Sequence, residues 1–209
     1  MKIKHPINLH KALTFLFVLM LMVIYQNFTI GAWVYLALHG SYGLLWLIKD
    51  SLYPDKRWEE KISIGMGIFT FVMLGLYWIA PFILVSSGSQ PSAPLIAAAI
   101  STNIFGIFLH YSSDAQKYYT LKYRSGLIEE GFFARSRNTN YLGEILIYLS
   151  FAMLAQHWLP FAILGIFIAA VFIPNMLNKD KSLDRYPEFA QYKNNSGLLF
   201  PKFLVKQFD

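Results

Sequence analysis

Apolar residues in this chain run in long blocks, and polar residues collect between them. Six blocks stand out, at residues 12–26, 28–48, 62–85, 94–111, 141–156 and 159–177, the first extending back to Ile7. A helix needs about 20 apolar residues to cross a hydrocarbon core, with a range of roughly 17–25. The pattern therefore predicts an all-α fold, a polytopic membrane bundle of about six helices. The last two blocks form a hairpin. Pro81, Pro91, Pro94, Pro160 and Pro174 fall near helix ends or kinks. A secretory leader would also begin with an apolar block. Here no small-x-small cleavage pattern follows the first block, and the second begins almost at once.

The polar segments carry the orientation. All eighteen Lys and Arg fall in four places. Lys2, Lys4 and Lys11 precede the first block. Lys49, Lys56, Arg57 and Lys61 lie between the second and third. Lys117, Lys122, Arg124, Arg135 and Arg137 lie between the fourth and fifth. Lys179, Lys181, Arg185, Lys193, Lys202 and Lys206 follow the sixth. The connections at Gln26–Asn27, Ser86–Ser92 and Gln156–Trp158 carry none. The positive-inside rule then places both termini in the cytoplasm, as an even number of spans requires.

Composition narrows the class. The 209 residues are 56% hydrophobic and 14% charged, against about 25% charged in ordinary soluble domains. That argues against a soluble enzyme and against a disordered tail. The net charge of +6 has its explanation in topology, so no nucleic-acid partner is expected. With no cysteine, disulfides, thiolate metal sites, a catalytic Cys and cysteine-ligated haem are excluded. The five histidines show no HxxxH or HxxE spacing, so no metal site is expected.

Glu144 is the one acid inside a predicted span, about one turn into the fifth helix. An intramembrane carboxylate is costly and points to function. The plainer reading is an interfacial pair with Arg137 or Arg135. Asn140 and Glu144 are four apart and share a helix face, and Arg137 can join them. His110 and Asp114 repeat the spacing at the end of the fourth span, where Asp114 could equally cap or pair with Lys117. Lys122-Tyr123-Arg124 suits nucleotide phosphates and equally anionic lipid headgroups. His39, Tyr42 and Trp46 share a stripe of the second helix. Such residues are more often staples between helices than proton donors. Walker A, GxGxxG and GxSxG patterns are missing from the sequence, so a cofactor must bind loops and helix ends.

The stretch Ser136-Arg-Asn-Thr-Asn-Tyr-Leu-Gly-Glu144 resembles the SRxPNYxGE segment of the steroid 5-alpha-reductase superfamily. That family shares its membrane fold with isoprenylcysteine carboxyl methyltransferases, whose related motif reads RHPxYxG. Ser113-Asp114, Tyr123-Arg124 and Gly131-Phe132-Phe133 follow the reductase order upstream. Asp184-Arg-Tyr-Pro187 and Pro201 are similar to its tail. The resemblance covers about the last hundred residues.

It implies one integral-membrane domain over 1–209, with residues 1–90 on the substrate side and 94–209 holding NADPH. The implied reaction passes a hydride to an activated carbon–carbon double bond of a lipid enone or sterol, which enters from the bilayer. Carried over by position, Asp114, Lys122, Tyr123, Arg124, Arg137, Asn140, Tyr141, Glu144, Asn175 and Lys179 are cofactor contacts. Asn140 and Glu144 fall toward the nicotinamide end, and Tyr42 is the candidate proton donor beside a catalytic Glu144. Several departures stand out. Thr139 replaces the motif's proline, and His110 stands where the animal steroid reductases have asparagine. Their N-terminal Gln-Glu segment is missing from this chain, which reads as one span shorter. Steroid specificity is therefore not implied. A methyltransferase using S-adenosylmethionine is the alternative, although the acidic pair those enzymes carry after the last helix is missing here. A non-catalytic membrane protein is the third reading. The host membrane is a bacterial inner membrane or the endoplasmic reticulum.

Overall fold

The computed structural model describes residues 1–203; Lys206 lies outside them. The protein is an all-α polytopic membrane helix bundle. Five helical stretches are long and apolar enough to cross a membrane, at Lys4–Ile24, Ile30–Leu52, Ile64–Ser86, Ala93–Tyr123 and Trp158–Leu183. The stretch Thr139–Ala155 is apolar but shorter. Each of the six apolar blocks in the sequence thus has its helix, and several of these run beyond the block at the charged end, as α5 does to Tyr123 and α8 to Leu183.

In chain order the elements are α1 (Lys4–Ile24), α2 (Ile30–Leu52), α3 (Ile64–Gly75), α4 (Ile79–Ser86), α5 (Ala93–Tyr123), α6 (Thr139–Ala155), α7 (Trp158–Phe167), α8 (Ile173–Leu183) and α9 (Phe189–Asn195). Two breaks have prolines as their cause. A tight turn at Leu76–Trp78 joins α3 to α4. Pro81 lacks the N–H that would bond the Tyr77 carbonyl, so the helix tightens just before it. A π turn at Ile168–Phe172 joins α7 to α8, where Pro174 leaves the Ala170 carbonyl without its usual donor. Gln26 and Gln156 take left-handed backbone angles, φ 51° and 50°, and close the turns after α1 and α6.

Many large apolar side chains face outward. Ile30 is 73% exposed and Ile64 is 71%. In water such a surface would drive aggregation; against lipid tails it costs nothing.

The chain forms two compact units. The first comprises residues 1–104 and 147–164, the second residues 105–146 and 165–209. In the first unit α1 packs on α2, α3 and α4, and α2 on α4. Small residues permit these approaches, as expected where no hydrophobic effect drives helices together. A Cβ on Gly43 would sit 2.5 Å from the Lys11 carbonyl oxygen. Asn103 Nδ2 donates to Ser150 Oγ at 2.9 Å, a buried polar link between α5 and α6. Thr29 caps α2 by accepting from the Ala32 N–H, and Ser63 caps α3 through the Met66 N–H. The N-terminus is strapped to the α2–α3 connection. Ile3 N–H donates to Glu60 O at 3.0 Å and Ile62 N–H to Met1 O at 2.9 Å. Glu59 receives both Lys2, at 2.6 Å, and Lys4.

The structure moves some of the basic residues. Lys11 lies inside α1 and is 3% exposed, and Lys49 lies inside α2 at 3%. Both sequence positions had been counted with the flanking charges; here they are buried members of the bundle.

Two tests follow from this packing. Gly43→Ala should lower the Tm of detergent-solubilised protein, with an overpacking cost of about 1–3 kcal/mol. Gly165→Ala, which would meet nothing within 4 Å, should leave Tm unchanged or slightly raised. The hydrogen bonds from Lys2 and Lys4 hold the Glu59 carboxyl down at about 2, from 4.5. A depressed carboxyl stabilises the fold above its unfolded value and loses that contribution as pH falls through its folded value. Proteolysis of the first residues should therefore accelerate as pH drops from 4.5 toward 2, and Glu59→Gln should remove that pH dependence.

Candidate functional site

The segment before α6 carries the sequence motif, and in the second unit it ties three parts of the chain together. Arg137 is 5% exposed. Its Nε donates to both oxygens of Asp180 at 3.1 and 3.2 Å, and its NH2 donates to Asp180 Oδ2 at 3.0 Å. NH1 donates to the Ser196 carbonyl at 2.6 Å, and more weakly to Ser196 Oγ and the Lys193 carbonyl. The flanking residues bind the chain after α9. Ser136 Oγ donates to Leu199 O at 2.7 Å and Asn138 Nδ2 to Leu198 O at 2.8 Å. Arg137 N–H donates to Gly197 O, and Gly197 N–H to Arg135 O, both at 2.9 Å. A side chain at Gly197 has no room, because a Cβ would fall 1.8 Å from the Phe200 carbonyl oxygen.

The same segment enters α6 against α5. A Cβ on Gly143 would lie 2.4 Å from the His110 nitrogen and 2.6 Å from the Gly106 carbonyl oxygen, so the backbones nearly touch. His110 Nδ1 donates to the Asn140 carbonyl at 3.0 Å. Thr139 Oγ1 donates to Phe132 O at 2.6 Å. The hydroxyl at the motif's usual proline position thus anchors the preceding turn.

Beside this knot lies a cavity of about 200 Å³, lined among others by Lys117, Lys179, Arg185, Phe133, Tyr186 and Tyr192. No carboxylate is among its described lining residues. Lys179 Nζ donates to Arg137 O at 2.5 Å and to Asn138 Oδ1 at 3.2 Å, and lies 5.2 Å from the centre of the Phe133 ring. Arg185 lies over the Tyr186 ring at 4.9 Å and donates to its hydroxyl at 3.1 Å. Burial pushes the Tyr192 phenol above its usual value, so it stays a donor, to Phe133 O at 2.8 Å. Apolar walls with a few converging cations make a site suited to a phosphorylated, partly aromatic ligand.

The residues singled out in the sequence divide among several places. Lys179 lines the cavity. Asp114, 9% exposed, is one of the charges that Lys179 senses, with Lys117, Asp180 and Arg137. Arg137 does not reach out to a ligand or to Glu144, because its guanidinium is engaged with Asp180 and the tail. Lys122 and Tyr123 end α5 and Arg124 follows it, all three exposed to the surroundings. Tyr123 is 79% exposed, Arg124 pairs with Glu130 at 2.5 Å, and none of the three is among the cavity's lining residues. Asn140, Glu144 and Asn175 are half-buried and also stand outside that lining. Tyr141 packs its ring against Phe172 at 5.1 Å. Tyr42 belongs to the first unit, where it is fully buried with the Lys11 ammonium 4.0 Å from its ring centre.

Sequence reading passed over Arg185, Tyr186 and Tyr192 as site residues. The signal was present, since Arg185 and Tyr186 lie within the Asp184–Pro187 tail segment. It could not show that α9 brings that segment back beside α5. Asp180 was missed because nothing in the sequence pairs it with a residue 43 positions earlier.

A family model described as "Protein of unknown function (DUF1295)" matches residues 15–196. The chain belongs to that family. The match takes in α2 to α9 whole and reaches into both units of the DUF1295 fold. Over 64 residues the chain is 34% identical to the uncharacterized protein C7D4.09c of Schizosaccharomyces pombe, a match covering 28% of this chain and 23% of that protein. The chain thus spans less than a quarter of that curated relative's length.

Removing half of the buried ion pair should release the tail from this DUF1295 domain. Asp180→Asn leaves the Arg137 charge buried, and breaking a buried pair costs about 3–5 kcal/mol. The expected outcome is a lower Tm, with protease cleavage after Asn195 appearing before the rest of the chain is attacked.

Proposed function

We propose that the protein is a membrane-embedded reductase that takes NADPH and reduces a carbon–carbon double bond of a lipid substrate of the steroid or enone kind. The observation that carries the reading is the cavity of about 200 Å³ whose lining has Lys117, Lys179 and Arg185 but no described carboxylate. Ligand pockets commonly measure about 300–1,000 Å³. This one suits the phosphate-bearing end of a dinucleotide rather than the whole molecule. The three cations would hold phosphate oxygens, and Arg185 offers a fork that fits them two at a time. Tyr186 and Phe133 offer ring faces to a base. Bound NADPH would supply the hydride.

The other residues take supporting roles in this reading. Arg137 and Asp180 hold the wall that carries Lys179. Asn140, Glu144 and Asn175 are assigned to the nicotinamide end, where Glu144 accepts hydrogen bonds from an amide. The motif's resemblance to the steroid 5-alpha-reductase superfamily points the same way. The charge distribution favours a cofactor entering from the cytoplasm, with the apolar bundle excluding water from the reduction. S-adenosylmethionine fits less well. Its sulfonium is a cation, and three cations without a facing carboxylate repel it.

Binding assays separate these possibilities. NADPH should raise the Tm of the purified protein, and S-adenosylmethionine should not. Arg185→Ala removes an exposed side chain, so the fold should survive. Loss of one charge-assisted bond, about 1.5–3 kcal/mol, should weaken NADPH about 10–100-fold. Glu144→Gln should weaken it less. Stabilisation by S-adenosylmethionine alone would overturn the reading, and stabilisation by neither would favour a non-catalytic protein.

A further inference from the structure

The segment after α9 carries a feature that the cavity does not use. Phe200 and Phe203 are 71% and 83% exposed, yet the backbone that presents them is firmly held. Lys202 N–H donates to Arg135 O at 3.0 Å, beside the bond from Gly197 N–H to the same oxygen. The carbonyls of Leu198 and Leu199 accept from Asn138 and Ser136. Lys202 Nζ donates to the Asn194 carbonyl at 3.1 Å. A single exposed apolar side chain is ordinary. Two exposed rings on a braced segment point to something that covers them.

Depth and charge say what that is. The segment is bonded to residues 135–138, and α6 begins at Thr139. α6 is apolar and 17 residues long, which is about 26 Å of helix against about 30 Å of hydrocarbon. The chain just before it therefore lies at headgroup depth. The Arg135 and Lys202 side chains are exposed and have no carboxylate partner among the described residues. Apolar rings flanked by Lys and Arg at that depth match the boundary of an anionic leaflet, where rings enter the acyl edge and cations meet phosphates. A second copy of the chain fits worse, because a two-fold contact would set Arg135 and Lys202 against like charges.

We propose that Phe200 and Phe203 anchor the segment after α9 in the surface of an anionic phospholipid leaflet, with Arg135 and Lys202 on the headgroup phosphates. This surface depends on the membrane bundle alone, whatever the cavity binds.

The test uses the full chain in nanodiscs holding one copy each. One set is phosphatidylcholine; the other is an equal mixture of phosphatidylcholine and phosphatidylglycerol. The chain has no cysteine, so Phe200→Cys gives a single point for a bimane label, itself an apolar ring system. Phosphatidylcholine with a nitroxide near the carbonyl end of its acyl chain should quench the bimane, and more strongly in the mixture. Aqueous iodide should do the reverse. Arg135→Gln keeps the backbone carbonyl that holds Lys202. It should lower the inserted-to-free ratio about fivefold in the mixture, the effect of one basic residue at an anionic surface, and leave it unchanged in phosphatidylcholine. Phe203→Ser should lower the ratio in both membranes, with the Tm in detergent unchanged. Iodide quenching at full strength in both membranes, nitroxide quenching indifferent to phosphatidylglycerol, or shielding found only in discs with two copies would overturn the proposal.

Discussion

The Arg137–Asp180 pair is the constraint on which the second unit's arrangement depends. A guanidinium with almost no exposure must spend its donors inside the protein, and here they go to α8 and to the chain after α9. Ser136 and Asn138 extend the same seam on either side. The consequence is geometric. Lys179 stands one residue before Asp180, so fixing the carboxylate fixes the lysine beside the Arg137 carbonyl. Tyr192, one turn before Ser196, is carried to the Phe133 carbonyl by the same closure. The Lys179 and Tyr192 sides of the cavity are therefore held in place by one buried ion pair.

The two units handle charge differently. In the second, Lys117, Lys179 and Arg185 line open space, and Lys179 is braced by the Arg137 carbonyl. In the first, Lys11 is wrapped in aromatic rings and bonded to a phenol. Both solutions answer the same problem, that a bare charge away from water is costly.

The helices were legible in the sequence because hydropathy in lipid is a strong and local signal. All six blocks became helices, and the prolines at positions 81 and 174 mark real irregularities. What was not legible was long-range pairing. The motif around Arg137 suggested a ligand contact, yet its arginine closes on Asp180 and its serine and first asparagine hold the tail. Lys122, Tyr123 and Arg124 had the right chemistry for phosphate, but α5 runs on past the apolar block and leaves them exposed. Lys179 was named with Asn175 through the reductase resemblance, at the end of the sixth helix, and of the two only Lys179 lies on the cavity lining. Its neighbours Arg185 and Tyr186 depend on a chain reversal into α9, which composition does not encode. Lys11 was counted as a topological flag, since a buried lysine and a flanking lysine look alike until their neighbours are known.

The central claim is that the cationic cavity of the second unit holds the adenine and phosphate end of a nicotinamide dinucleotide. Photolabelling tests it at the residue level. An azido-adenine analogue of NADP should, on irradiation, label peptides containing Leu121 to Ile128 and Leu183 to Tyr192, and excess NADPH should suppress that labelling. Labelling confined to other segments, or labelling that NADPH does not suppress, would contradict the account.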